Sequence, residues 1–337
     1  MSRSRLVVLG SFLVVGLGVV AAVGALYLDP ARAAVGPLPA EGLALPANSQ
    51  FLMGFDVQRF VSSPLYQRRA ALSAALRPKE LAELEEKTGI NFERDLESVV
   101  MAGGRDSGVV LVRGRFDQYK VGRAIETSKK GTTTKTHAGV SMYLHNEGGK
   151  HATAIAFVGD DMLVLGSQPA VEATLTSRAQ GSGGIKGNAA LMALLQGVKP
   201  GSTFWMVGDR TLLAQLPRGV PSLGAPQDDQ GNPAGASLGL PALKSVVATG
   251  DLDPEVSFDL VAEAGTEADA RNLADVVRGA VAMAALQSSQ NPHLKGLTSA
   301  ISVATDANRV RLSAHLPYEL LDALQPKPMP KARPSGQ

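Results

Sequence analysis

Two stretches of this chain resemble each other, and that likeness restricts the folds open to it. Ser49-Gln-Phe-Leu-Met-Gly-Phe-Asp56 aligns without gaps on Ser202-Thr-Phe-Trp-Met-Val-Gly-Asp209. Ser, Phe, Met and Asp coincide at an offset of 209 − 56 = 153. Leu96-Glu-Ser-Val-Val-Met-Ala-Gly103 aligns in the same way on Leu243-Lys-Ser-Val-Val-Ala-Thr-Gly250, at 250 − 103 = 147. A looser third block sets Ala154-Ile155 and Asp160 against Ala300-Ile301 and Asp306. Blocks that recur in one order at nearly one spacing are the mark of a duplicated unit.

The pattern within each unit is mixed. Strands are expected over 50–57, 97–102, 108–116, 162–167, 202–208, 243–250, 255–264, 298–304 and 309–315, with a hairpin over 138–146 and 151–158. Helices are expected from Ser63-Pro64, over 78–89, 117–127, from Pro169, and over 210–216, 267–289 and 318–324. Ser as a cap with Pro in the first turn, and Gly just past the end, are the usual helix start and stop signals. Leu273, Val276, Val277, Ala280, Val281 and Ala284 recur at helical spacing, a stripe suited to packing on a sheet. Hairpins with interspersed helices indicate α+β with mainly antiparallel sheet.

The N-terminus carries a different signal. Leu6–Leu28 is apolar without a charge, about the ~20 residues that a bilayer-spanning helix needs. Arg3 and Arg5 precede it, which by the positive-inside rule keeps the N-terminus cytoplasmic and the rest of the chain outside. Ala31-Arg32-Ala33 offers a small-residue cleavage pattern, so a cleaved export signal ending near Ala33 is the alternative to a single-pass anchor.

Composition excludes several functions. Aromatics are 4% and the net charge is +2, so neither the stacking platform nor the basic excess of a nucleic-acid binder is present. There are no cysteines, hence no disulfide, thiol nucleophile or lipid-modified Cys. No cofactor follows from any motif. The glycine-rich Gly181–Gly187 contains Lys186 but lacks the hydroxyl residue a phosphate loop places after its lysine, and reads as a flexible linker between units. Arg105-Asp-Ser-Gly108 reads as a hairpin turn, because a trypsin-like serine needs its base upstream and every histidine lies at or after His137.

His145 and His151 flank a turn with Glu147, a possible surface metal site, while His137 lies over 20 Å from His145 if both share one strand at ~3.3 Å per residue. His293 and His315 have no ligand-spaced neighbours. Asp160-Asp161 and Asp228-Asp229 read as turns, and Glu83, Glu85, Glu86 and Lys87 as a solvated helix face. Asp56 and Asp209 end equivalent strands. They read as helix caps, with a pair of symmetry-related sites as the sharper alternative. No catalytic, cofactor or metal residue is assigned.

LPANSQFLMGFDVQRFVSSPLYQR and TGINFERDLESVVMAG, together about a third of the chain, resemble segments of uncharacterised exported bacterial proteins with an N-terminal anchor. In those a Leu-Pro-Ala…Asp-Val strand precedes a helix and a Gly-Ile…Asp-Leu-x-x-Val-Val segment. The resemblance implies export and carries no activity or functional residue.

The expected organisation is an N-terminal transmembrane segment at 1–28, a linker at 29–46, α+β repeats at 47–180 and 198–325, and a proline-rich tail at 326–337. The region 218–241 is expected to be a long surface loop. The two units are expected side by side, with one shared sheet as a variant. The expected function is a membrane-held extracytoplasmic binding or scaffold protein without enzymatic activity, attached to the membrane through its N-terminal helix. Its partner would be an envelope protein or an apolar ligand. A carrier of apolar ligands and an envelope hydrolase without a recognisable motif are the alternatives.

Overall fold

A computed structural model describes residues 38–72, 79–105, 107–128, 131–146, 152–213, 219–220, 238–239, 241–289 and 299–323. A 3-10 helix, Ala40–Ala44, opens the described chain. The first half then runs β1 (Phe51–Asp56), α1 (Val57–Val61), α2 (Pro64–Leu72), α3 (Lys79–Thr88), α4 (Phe92–Asp95), β2 (Leu96–Gly103), β3 (Gly108–Gly114) and α5 (Gln118–Ser128). It continues with β4 (Thr133–His137), β5 (Val140–His145), β6 (Thr153–Val158), β7 (Met162–Ser167) and α6 (Gln168–Gln180). A second 3-10 helix, Gly184–Gly187, and α7 (Ala189–Leu195) lead into the second half. That half holds β8 (Phe204–Asp209), α8 (Arg210–Leu213), β9 (Gly219–Val220), β10 (Leu238–Gly239), β11 (Leu243–Asp251), β12 (Val256–Ala264), α9 (Glu267–Ser289), β13 (Ile301–Asp306), β14 (Arg309–Leu316) and α10 (Tyr318–Ala323).

Twelve of these strands form one sheet, in the order β13-β14-β12-β11-β8-β1-β2-β3-β7-β6-β5-β4, with every described neighbour antiparallel. This corrects the expected fold of a transmembrane helix followed by two α+β units. The strand-dominated sheet has no boundary between units, because β1 and β8, the first strand of each, pair with each other. No helix among the described residues is long and apolar enough to cross a membrane. Residues 1–37, with Leu6–Leu28 and Ala33, lie outside the described residues, as do most of 218–241 and all of 326–337.

The strand register explains the repeated blocks. Across β1 and β8, Met53 faces Met206 and Leu52 faces Val207, so residue i faces residue 259 − i. The counterpart of i in the second block is i + 153, and the two relations meet at i = 53. Met53 and Met206 are therefore both counterparts and partners, and a local two-fold axis passes between them. Moving outward, the same pairings recur. Met53 faces Met101 as Met206 faces Ala248, and Leu52 faces Ala102 as Trp205 faces Thr249. Both outer ladders shift register at equivalent places, Leu96/Ser98 and Leu243/Ser245.

The third block is two residues out of step. Ile155 and Val303 each face a leucine in the next strand, Leu165 and Leu312, so their offset is 303 − 155 = 148. Matching Asp160 to Asp306 aligned a turn residue with a strand residue.

Residues identical in the two blocks do identical work. Ser49 Oγ donates to Pro46 O at 2.7 Å, and Ser202 Oγ donates to Lys199 O at 2.9 Å. Phe51 lies opposite Gly103 and Phe204 opposite Gly250, each ring close to where a side chain on the glycine would go. Glycine gives an aromatic ring a floor to lie on in a strand that otherwise favours bulk.

The sheet has two unlike faces. Its front face carries Leu52, Val100, Ala102, Val109, Leu111, Val164, Trp205 and Val207 against Leu45, Val171, Leu175, Ile185, Leu191 and Leu195 from the helical segments. The back face packs Phe55, Val99, Met101 and Val110 under Phe60, Leu65, Phe92 and Val121. The stripe of α9 covers the far end of the same back face, with Ala270, Leu273 and Ala274 on Ala262, Ala264 and Val310.

Among the described residues, no such apolar layer covers the front side of β12 and β14 in the second half. That side carries Ser313 bonded to Asp259 at 2.6 Å, Arg311 near Asp259 at 3.6 Å and Arg309 near Glu263 at 3.9 Å. Gly181–Gly187 is not a loose linker. Ile185 is fully buried, and α7 follows directly onto the front core.

Trp205 fills the front of the junction by lying over Gly54, its cross-strand partner, where a methyl group would overlap the indole. Gly54→Ala should therefore cost about 1–3 kcal/mol, the usual penalty for overpacking. Urea unfolding will measure it. Trp205→Leu, which restores the leucine found at the counterpart Leu52, should recover part of the loss in the double variant.

Candidate functional site

The front face has a cleft near the first half's N-terminal segment. One wall is the 3-10 helix Ala40–Ala44, and the other is the end of α6 with the turn that follows it. Helix α6 stops at Gly181, whose φ of 63° is the left-handed conformation typical after a last helical turn. Gly183 (φ 79°) and Gly184 (φ 63°) carry the chain back under the N-terminal segment. Gly184 passes so close to the Leu43 carbonyl that a side chain there would collide with backbone. The cleft encloses about 440 Å³ and is lined by Glu41, Arg113, Asp161, Ser177, Arg178, Ser182 and Lys186 among others.

Arg113 organises its floor. Strand alternation puts Val112 in the back core and turns Arg113 to the front. Its guanidinium reaches Glu41 at 2.6 Å, Asp161 at 2.9 Å and Glu97 at 3.2 Å. The Glu41 side chain is 13% exposed and that of Arg113 43%, so the pair ties the N-terminal segment to the sheet with its carboxylate side turned from water and its guanidinium at the surface. The hydrogen bond that Arg113 donates to Glu41 is the largest of the effects that hold its guanidinium above the usual arginine pKa, with the Glu41, Asp161 and Glu97 charges adding to it. Arg178 and Lys186 are exposed, and neither is ion-paired among the described residues. Carboxylates committed to a guanidinium are poor proton acceptors, so the arrangement is suited to holding a ligand rather than to moving protons.

The residues singled out by the sequence do not converge. Asp56 Oδ1 accepts from Arg59 N at 2.8 Å and caps α1; Asp209 Oδ1 accepts from Thr211 N at 2.7 Å and Leu212 N at 3.2 Å and caps α8. Asp56 N donates to Thr203 O, while Asp209 N donates to Gln50 O, 56 − 50 = 6 residues along the strand. At ~3.3 Å per residue the two carboxylates sit about 20 Å apart, at opposite ends of the β1–β8 strand pair.

His137 and His145 lie on adjacent strands and not on one, because Ala138-Gly139 turns the chain between β4 and β5. His137 Nε2 meets Thr176 Oγ1 at 2.8 Å, and His315 Nδ1 meets Glu255 at 3.0 Å. His151, Glu147, His293 and Asp228-Asp229 lie outside the described residues. Among the described residues no three metal-ligating side chains gather. Asp160 accepts from Gln118 at 3.4 Å, and Lys87 pairs with Glu83 at 3.4 Å on the helix surface.

Sequence reasoning missed the cleft. Its charged residues come from positions 41, 113, 161, 178 and 186, which share no short spacing. The only visible trace was the polar Arg113 interrupting an apolar strand. Comparison of the chain with protein-family models, curated proteins and solved structures finds no match among any of them.

Two carboxyls should give opposite pH signatures. Burial holds Asp56 above its usual pKa, against the hydrogen bond from Arg59 N and the Arg59 charge. Its stabilising contribution is present below the unfolded value and lost as pH rises through the folded one. Asp95 is held low, chiefly by its hydrogen bonds from Arg94, so its contribution is present above the unfolded value and lost as pH falls through the folded one. Asp56→Asn keeps a capping oxygen and should stabilise the protein near pH 7, the gain vanishing below about pH 4. Asp95→Asn should destabilise near pH 7 and converge with wild type in acid. Urea midpoints across pH will separate the two.

Proposed function

We propose that the chain is a non-enzymatic binding module held outside the cytoplasm by, or exported through, its apolar N-terminal segment. The observation that supports this reading is where the cleft is built. Its wall at Ala40–Ala44 begins 40 − 28 = 12 residues after Leu28, the end of the apolar run. Twelve residues span at most about 40 Å, so a membrane-held segment keeps the cleft near the membrane surface. The polar groups on the cleft floor are committed to the Arg113 ion pairs, an arrangement that favours binding over proton transfer.

The absence of cysteine makes topology directly testable. Tyr119 is 73% exposed on α5 and accepts a cysteine without disturbing the core. In intact cells a membrane-impermeant maleimide should label Tyr119→Cys and leave Ser2→Cys unlabelled until the membrane is broken. Labelling of Tyr119→Cys only after lysis would overturn the extracytoplasmic placement.

A further inference from the structure

We propose that the front-face cleft binds a phosphate group, carried by a lipid head group or by a free phosphate ester; this rests on the binding-module reading and names its ligand. Arg178 stands in the last turn of α6 and Lys186 in the second 3-10 helix. The Gly181–Gly183 turn folds these two elements against each other, and both side chains line the same cleft. Neither is ion-paired among the described residues. The lining's own carboxylates, Glu41 and Asp161, are engaged by Arg113 at 2.6 and 2.9 Å.

Arg113 is shared among Glu41, Asp161 and Glu97, whereas Arg178 and Lys186, the lining cations without an ion pair among the described residues, both lie on the α6 side. The carbonyl end of α6 offsets only about half a charge of Arg178, leaving the rest and all of Lys186 for a ligand. A guanidinium fork, an ammonium and two hydroxyls, Ser177 and Ser182, are the donor set that a tetrahedral, multiply charged oxyanion uses. The volume of about 440 Å³ falls within the range of small-molecule sites, ~300–1,000 Å³, and exceeds what a bare ion fills. It suits a phosphate esterified to a glycerol-sized body.

Ligand binding to the folded state raises the melting temperature, which gives one readout for both sources. The full chain is melted in an uncharged detergent with increasing glycerol 3-phosphate, and in phosphatidylcholine nanodiscs with and without phosphatidylglycerol. Three forms are compared: wild type, Arg178→Gln/Lys186→Gln, and Arg210→Gln/Lys244→Gln, which removes equal charge from exposed positions elsewhere.

The expected result is a shift in wild type and the control, with the apparent affinity at least tenfold weaker in the cleft variant. A shift with the soluble ester identifies a free phosphate, and a shift confined to phosphatidylglycerol discs identifies a head group. No shift in either arm, or equal shifts in the cleft and control variants, would overturn the proposal. Failure here leaves the maleimide topology result untouched, and a cytoplasmic topology would leave phosphate binding standing, so the two readings fail separately.

Discussion

The pairing of β1 with β8 is the constraint on which the rest of the structure depends. Antiparallel pairing of two counterpart strands creates a two-fold axis and joins two sets of strands into one sheet without an edge between them. It also decides what the repeat can build. Counterpart residues lie at opposite ends of the junction, so the caps Asp56 and Asp209 are kept about 20 Å apart. Only residues on the axis meet their counterparts, and those are Met53 and Met206, which carry no titratable group. Asp56 and Asp209 therefore cannot meet in one shared site. On the front of the same junction Trp205 lies over Gly54.

Function is therefore to be sought where the halves differ. They share the inner strands, the register and the helices that follow β1, β3, β8 and β12. They differ on the front face. In the first half α6 and two 3-10 helices cover it with Val171, Leu175 and Ile185, and α7 carries that cover on over β8 and β11 with Leu191. In the second half the equivalent side of β12 and β14 is finished with Asp259, Arg311, Ser313, Glu263 and Arg309. The cleft is built from the covering segments together with Arg113 of β3, and its special features belong to one half alone.

How much of this was legible follows from the kind of signal each element gives. Strands with alternating apolar residues and helices bounded by Pro and Gly stand out, which is why β1, β2, β3 and α9 fall close to their expected places. Strand β4, Thr133–His137, escaped because Thr-Thr-Lys-Thr-His has no apolar alternation and the strand is an exposed edge. Gly181–Gly187 misled because glycine suits both a flexible linker and a tight left-handed turn, and only the contact of Gly184 with Leu43 tells them apart. The repeat was visible as matched letters, yet its meaning was not. That i + 153 and 259 − i coincide at Met53 is a fact about pairing, and one sequence does not display pairing. The ion pairs of Arg113 draw on residues 41, 97 and 161, and no local spacing announces them.

The Glu41–Arg113 pair also has a mechanical consequence. The N-terminal segment is fastened to the sheet by three contacts in quick succession: Glu41 on Arg113, Leu45 in the front core, and Gln50 N on the carbonyl of Gly103. A pull passed along the chain from a membrane-held N-terminus would meet the cleft wall at Ala40–Ala44 before β1, in chain order. A ligand bridging Arg178 and Lys186 would sit against that same wall and add contacts between the N-terminal segment and the turn after α6. Attachment and binding would then stabilise one another, because each restrains the segment the other needs in place. The coupling would be strongest for a ligand that is itself part of the membrane surface, since one geometry would satisfy the tether and the cleft together.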